Sequence, residues 1–476
     1  MKAMKIRDIN FLRFLTLKLP LGQVDMFGGA LFNPVPGTVM GKHIDRFFQR
    51  GYRSYSPAFS LYFHIPFCLK RCLYCWCERK AVAQKAEMQA YYQYLLGMID
   101  AYAPHARGVP VDICNFGGGT PSLLSAAQIT GLLGSIRRSF AVREKAYFMF
   151  EGSPRTLTLD KLKALKEGGV SRISLGVQTL NKKVLNAVDR LQSREEVERC
   201  IDNIRSLSFD FLNIDVMAGL PLQTEASFLA DLRFLIARKP EVIHLHPFWN
   251  IQPSPYYQMK KGDIAAFFKG RHTMTRKGRE MLLSGGYLRR GHEAFQMVSG
   301  GEKEQSVLYE RSVGATLGIG AYAISTFPGQ AVMQCLPRSG KDMTDNEYFG
   351  YAYPKHAVMA NFIILNILSG IQRKDFQRIF GESLEGVFGA GLKRLEHLGL
   401  VAWQDGRLVY PGTRSFRALF DLFAWIKILY DDALLEKLQA NFSREYHSSV
   451  DYSQERFMLK IMDNGWFVQA VYDLGV

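Results

Sequence analysis

The stretch SLYFHIPFCLKRCLYCWC, residues 60–77, runs from an apolar segment straight into four cysteines, Cys68, Cys72, Cys75 and Cys77. Ser60 to Pro66 reads as a strand, and Pro66 ends its ladder because proline has no amide hydrogen to donate. The cysteines then sit on the loop at the C-terminal end of that strand, where α/β folds place their chemistry. Their spacing is C-x3-C-x2-C-x-C, while Cys114, Cys200 and Cys335 lie far apart. A disulfide framework fits poorly, because no export signal is read and reducing compartments keep thiols free. Structural zinc generally takes two separated ligand pairs, and no second C-x2-C or H-x3-H pair follows. An iron–sulfur cluster suits the spacing better, since thiolates on one short loop can reach several of its corners.

The bulk numbers fit a large globular chain. Its 476 residues are 47% hydrophobic and 22% charged, enough for two or three domains. Lysine and arginine outnumber aspartate and glutamate by 60 to 44, a formal charge of +16. Such an excess attracts acidic partners or is simply a solvated basic surface. The basic residues are dispersed, so no nucleic-acid partner is expected. The N-terminal MKAMKIRDINFLRFLTLKLPLG lacks the continuous apolar core of a signal peptide. No window approaches the roughly 18–20 apolar residues that span a bilayer, and the expected location is cytoplasmic.

Further strands follow at regular intervals. DICNFGGGTPS ends in Gly117, Gly118 and Gly119 before Thr120, and AYFMFEGSP delivers Glu151 at its end. VSRISLGVQTL carries Gln178, FLNIDVMAGLPLQT carries Asp215, and EVIHLHPFW carries His244 and His246 two residues apart, on one face. Those histidines line a substrate cavity or are two satisfied barrel residues. Helical patterns intervene, with Ser193 and Thr224 as candidate N-caps. From about 60 to 250 this is a parallel βα repeat, too short for eight units, and a six-unit partial barrel is the economical reading.

YFHIPFCLKRCLYC resembles the radical S-adenosylmethionine (SAM) signature, in its oxygen-independent coproporphyrinogen III oxidase-like (HemN-like) branch. The resemblance implies a partial (β/α)6 barrel and a [4Fe–4S] cluster held by Cys68, Cys72 and Cys75. One iron is then left open to chelate SAM, which an electron from the cluster cleaves to a 5′-deoxyadenosyl radical. Cys77 accompanies the ligands in this family without binding the cluster. The resemblance also implies SAM contacts from Tyr62, Gly118, Gly119, Thr120, Glu151, Gln178, Arg190 and Asp215. Gly318 and Gly320, in TLGIGAYAIST, resemble a segment that contacts nucleotide or a second SAM; tight strand–turn packing accounts for them equally well. No catalytic side chain is assigned.

The expected domains are an N-terminal extension at 1–55, the radical SAM barrel with its extension at 56–335, and a helical, winged-helix-like domain at 345–476. YLRRGHEAFQ resembles the strand that extends the barrel. After 350, two helical patterns precede a turn at Asp405-Gly406, and 416–438 reads as a further helix. The family's stretch upstream of the cluster is replaced by GYRSYSPA, and its stretch before the late glycines by LYERSVGATLGIG. Three functions stay open. The first is oxidation of a tetrapyrrole-like or other acidic hydrophobic substrate, with flavodoxin or ferredoxin as reductant. The others are methyl transfer or cyclopropane formation with a second SAM, and haem trafficking of the haem-chaperone type.

Overall fold

The computed structural model describes residues 34–36, 59–75, 80–81, 85–248, 264–289, 294–297, 314–338, 342–352, 355–367, 370–397, 399 and 401–411. Cys77, the helix expected at 416–438 and most of the 1–55 extension lie outside the described residues. The chain separates into two compact units. One comprises Pro36–Phe327 with Met333–Phe349; the other comprises Met1–Val35, Pro328–Val332 and Gly350–Val476.

The first unit is built on six parallel strands that neighbour one another in chain order: β1 (Phe59–Ile65), β2 (Pro110–Gly118), β3 (Ala141–Gly152), β4 (Arg172–Gln178), β5 (Phe211–Ala218) and β6 (Val242–Pro247). Between and after them run α1 (Lys85–Tyr102), α2 (Ala126–Ser139), α3 (Leu159–Glu167), α4 (Lys182–Ala187), α5 (Arg194–Ser206), α6 (Glu225–Ala237) and α7 (Ile264–Ser284). This is the expected (β/α)6 arrangement. Parallel strands buried on both faces read as continuous apolar runs, and β1 has only Tyr62 partly exposed. Register aligns Phe63, Phe116 and Phe150 across β1, β2 and β3, with ring centroids 5.0 and 5.4 Å apart. Full burial of each such ring contributes about 2 kcal/mol.

The helices start where the local chemistry directs. Ser193 accepts from the Glu196 amide while the Glu196 carboxylate accepts from the Ser193 amide. Thr224 and Ser227 form the same reciprocal pair at α6, and Ser125 with Gln128 at α2. Each such cap stabilises its helix by about 1 kcal/mol.

Beyond the six strands the sheet continues on both sides. YLRRGHEAFQ forms two strands rather than one, β7 (Tyr287–Arg289) and β8 (Ala294–Met297), paired antiparallel with Tyr287 opposite Met297. β8 then adds antiparallel to β6. On the other side β9 (Ala315–Ile319) lies parallel to β1, and β10 (Ile324–Phe327) runs antiparallel to β9.

In the second unit, α8 (Lys355–Asn366), β11 (Ile371–Gln372), α9 (Arg373–Phe380), α10 (Leu384–His397), β12 (Ala402–Gln404) and β13 (Arg407–Val409) follow in winged-helix order. Asp405 and Gly406 both have positive φ, 49° and 74°, the backbone of a type I′ hairpin turn. Phe362, Phe376, Phe380 and Phe388 form its aromatic core. Among the described residues no helix is long and apolar enough to cross a membrane.

Candidate active site

Because β1 to β6 are parallel, their C-terminal ends share one edge, and a cavity opens there. Past Pro66, Phe67 and Cys68 pair with Lys80 and Ala81 in a short parallel bridge. The chain then folds back so that the Leu73 amide donates to Val188 O (2.9 Å) and the Cys75 amide to Cys72 O (3.1 Å). Tyr74 anchors this loop among Val184, Val188, Leu220 and Phe248, with Cys72 and Cys75 packed against that group. The result is that Cys68, Cys72 and Cys75 all line the cavity.

Two donors address the sulfurs. Thr120 Oγ1 donates to Cys68 Sγ (3.3 Å), and Arg190 Nη1 lies 3.7 Å from Cys72 Sγ. The Arg190 guanidinium also donates to Tyr74 Oη (2.8 Å), to Gln192 Oε1 (2.9 Å) and to Gly176 O. Burial opposes charge on Arg190, but Tyr74 and Cys72 outweigh it, so its pKa is raised and it stays cationic. Burial pushes the Tyr74 phenol well up, against the pull of Arg190.

The glycine turn lies beside Cys68. Gly118 has φ 106°, and a Cβ there would lie 2.6 Å from His64 Nε2. A Cβ on Gly119 would lie 2.5 Å from Phe67 O, and the Gly119 amide donates to Ile65 O (2.8 Å). The turn thus packs on the strand leading to the cysteines. Gly118, Gly119 and Thr120 line the cavity, as do Glu151, Gln178, Arg190 and Asp215. Gln178 sits at a register shift between β4 and β5 with φ 68°, and its buried Oε1 has no hydrogen-bond partner among the described residues.

Asp215 also lines the cavity. Asn213 Nδ2 donates to its Oδ1 (2.7 Å), and His244 Nδ1 lies 3.3 Å from the same atom. Burial pushes the Asp215 carboxyl up, but His244 and His246 outweigh burial and hold it well below the usual carboxylate range. Burial lowers the His244 pKa, against the pull of Asp215.

Three of the expected contact residues are not among those that line this cavity. Tyr62 pairs its hydroxyl with His64 Nδ1 (3.1 Å) and does not line the cavity. Gly318 and Gly320 are not among its lining residues either, and their amides donate to Ser325 Oγ (2.9 Å) and Met98 Sδ (3.2 Å). Added Cβ atoms there would meet Ile324 O at 2.5 Å and Tyr91 Oη at 2.5 Å, so close packing accounts for both glycines. Conversely, the cavity includes Tyr74 and Ser174, which the motifs did not single out. Ser174 lies two residues before Gly176 and four before Gln178, so strand alternation was its available signal.

The class of protein follows from comparison with known sequences. Residues 62–235, the span from β1 into α6, match the family model of the Radical SAM superfamily. The chain is homologous to oxygen-independent coproporphyrinogen III oxidases. It is 30% identical over 295 residues to that of Paracoccus denitrificans (60% of this chain, 65% of the relative). To that of Escherichia coli K12 it is 37% identical over 182 residues (38% of this chain, 40% of the relative). The heme chaperone HemW of E. coli K12 is 28% identical over 287 residues, 58% of this chain and 73% of the relative. The solved coproporphyrinogen III oxidase HemN of E. coli, described as a radical SAM enzyme, superposes with a TM-score of 0.68 at 24% identity. That match covers 82% of this chain and 93% of HemN and establishes the shared fold. The matched part covers less than two thirds of the length of these oxidase relatives.

The residues present suit the cofactors of this class. Three cysteines outside any disulfide line one cavity, donors address two of their sulfurs, and the buried Gln178 Oε1 has no donor among the described residues.

Proposed function

We propose that the chain is a radical SAM oxidoreductase acting on an acidic tetrapyrrole of the coproporphyrinogen type. The observation that carries this reading is the convergence of Cys68, Cys72 and Cys75 with Gly118, Gln178 and Arg190 on one cavity at the strand ends. Cys68, Cys72 and Cys75 hold the cluster, and Cys77 is not a ligand. When bound, the cluster and SAM together supply a 5′-deoxyadenosyl radical that abstracts hydrogen from the substrate.

The chain's own groups prepare that site. Thr120 and Arg190 donate toward two thiolates and favour their charged form. The glycine turn lets backbone come close to a ligand where any side chain would collide with His64 or Phe67. Gln178 Oε1 accepts from an ammonium or hydroxyl, and Glu151 and Asp215 offer carboxylates to the same space. The net charge of +16 suits a substrate bearing several carboxylates. A flavodoxin or ferredoxin serves as reductant, and the protein works in the cytoplasm.

The test is anaerobic: reconstitute the cluster, add SAM, reductant and coproporphyrinogen III, and analyse products by mass spectrometry. The expected result is 5′-deoxyadenosine together with decarboxylated porphyrinogen. S-adenosylhomocysteine with a methylated product, or haem retention without SAM cleavage, overturns this reading.

A further inference from the structure

We infer that Asp215, His244 and His246 form a site for a divalent first-row metal ion, separate from the cluster and bordering its cavity. The β5–β6 register sets Asp215 opposite His244 and Met217 opposite His246. Strand alternation then puts the carboxylate and both imidazoles on one face. Their ligand atoms all lie within 4.8 Å of one another.

The distances suit a shared ion, although the shorter one is also that of a hydrogen bond between His244 and Asp215. Asp215 Oδ1 is 3.3 Å from His244 Nδ1 and 3.9 Å from His246 Nε2. The longer distance exceeds any hydrogen bond. Bonds of about 2.0–2.1 Å to nitrogen and oxygen give a tetrahedral edge of about 3.3 Å, so His246 closes on the ion by roughly half an ångström. A second layer fixes the carboxylate: Asn213, fully buried, donates from Nδ2 both to Ser174 Oγ and to Asp215 Oδ1, each at 2.7 Å. Ligating carboxylates are generally held by such partners. The three side chains keep 22–38% of their surface exposed, which leaves coordination positions for an outside ligand.

The donor set also selects the metal. Two imidazoles and one carboxylate suit zinc, iron(II) or cobalt(II), whereas calcium and magnesium require more oxygens. Arg172, whose Nη1 donates to Tyr147 Oη (3.3 Å), places a positive charge near His244. That charge opposes any divalent cation here, so binding rests on the bonds to imidazole nitrogen and carboxylate oxygen. An ion here has open positions for an oxygen anion such as a carboxylate. The inference shares only Asp215 with the proposed radical chemistry.

Zinc is the probe. The full chain, with its cluster reconstituted so that the cysteines are occupied, is titrated anaerobically with zinc and desalted. Zinc and iron are counted, and X-ray absorption at the zinc edge reads the ligands. The expected result is one zinc per chain with nitrogen and oxygen neighbours, undisturbed by excess calcium or magnesium. His246→Ala and the milder His246→Gln should weaken zinc binding at least about tenfold with iron unchanged. If no cluster loads, the same titration on Cys68→Ala/Cys72→Ala/Cys75→Ala reads the site without those thiols. No retained zinc, equal zinc in the His246 variants, or sulfur in the zinc shell overturns the inference. SAM cleavage plays no part in the readout, so failure of the radical chemistry and failure of the metal site are distinguishable.

Discussion

Arg190 ties the cysteine loop to β4: its guanidinium lies 3.7 Å from Cys72 Sγ while donating to Gly176 O. A cation beside a cluster sulfur stabilises the more negative, reduced state and so raises the potential. Arg190→Gln is therefore expected to lower the cluster's reduction potential by roughly tens of millivolts. A potentiometric titration followed by EPR measures this, and an unchanged potential would remove Arg190 from the site's electrostatics.

Two glycine substitutions should move in opposite directions. Gly119→Ala drives a Cβ to 2.5 Å from the Phe67 carbonyl, a backbone atom that cannot swing aside, and should destabilise the protein and reduce cluster loading. Gly97 lies within α1 with nothing within 4 Å of an added Cβ. Gly97→Ala should stabilise by about 1 kcal/mol through helix propensity. Denaturant unfolding compares the two, and destabilisation by Gly97→Ala would show that the helix face is not as open as described.

His64 supplies a pH dependence. Burial pushes its pKa from 6.5 down to about 4. A depressed histidine favours the folded state while neutral, so its contribution is complete above pH 6.5 and is lost as pH falls toward 4. The shift corresponds to about 3 kcal/mol at the acid end. Unfolding midpoints measured across this range should fall less steeply in His64→Asn than in the wild type. Parallel slopes would mean that His64 titrates normally.

The fourth thiol has its own test. Cys72→Ala should abolish the brown cluster absorbance, while Cys77→Ala should retain most of it. Equal loss in both would make Cys77 a ligand.

Features encoded within a few residues were legible in the sequence. Ser193 and Thr224 cap α5 and α6 because each reciprocal pair spans only three positions. The turn at Asp405-Gly406 was legible because few sequences tolerate two consecutive positive φ angles. By contrast, α9 is one short segment whose buried Phe376, Ile379 and Phe380 make sense only against Phe362 and Phe388. The β7–β8 hairpin depends on pairing with β6, which no local pattern announces. Similar limits apply at the site. The cysteines, Glu151 and Gln178 were legible at or just past strand ends, and Asp215 within a strand, in a fixed order. Their sequence order does not say that Arg190 approaches Cys72, or that Gly318 and Gly320 pack closely on Ile324 and Tyr91. The closeness of Asp215 to His244 comes from inter-strand register, a long-range property.

The central claim is that Cys68, Cys72 and Cys75 hold a cluster that cleaves SAM. Its most direct measurement is the yield of 5′-deoxyadenosine from the reconstituted chain given SAM and dithionite under anaerobic conditions. 5′-Deoxyadenosine should accumulate with the wild type and be absent with Cys72→Ala. A fully loaded wild-type protein that yields none, even with candidate tetrapyrroles present, would contradict that claim.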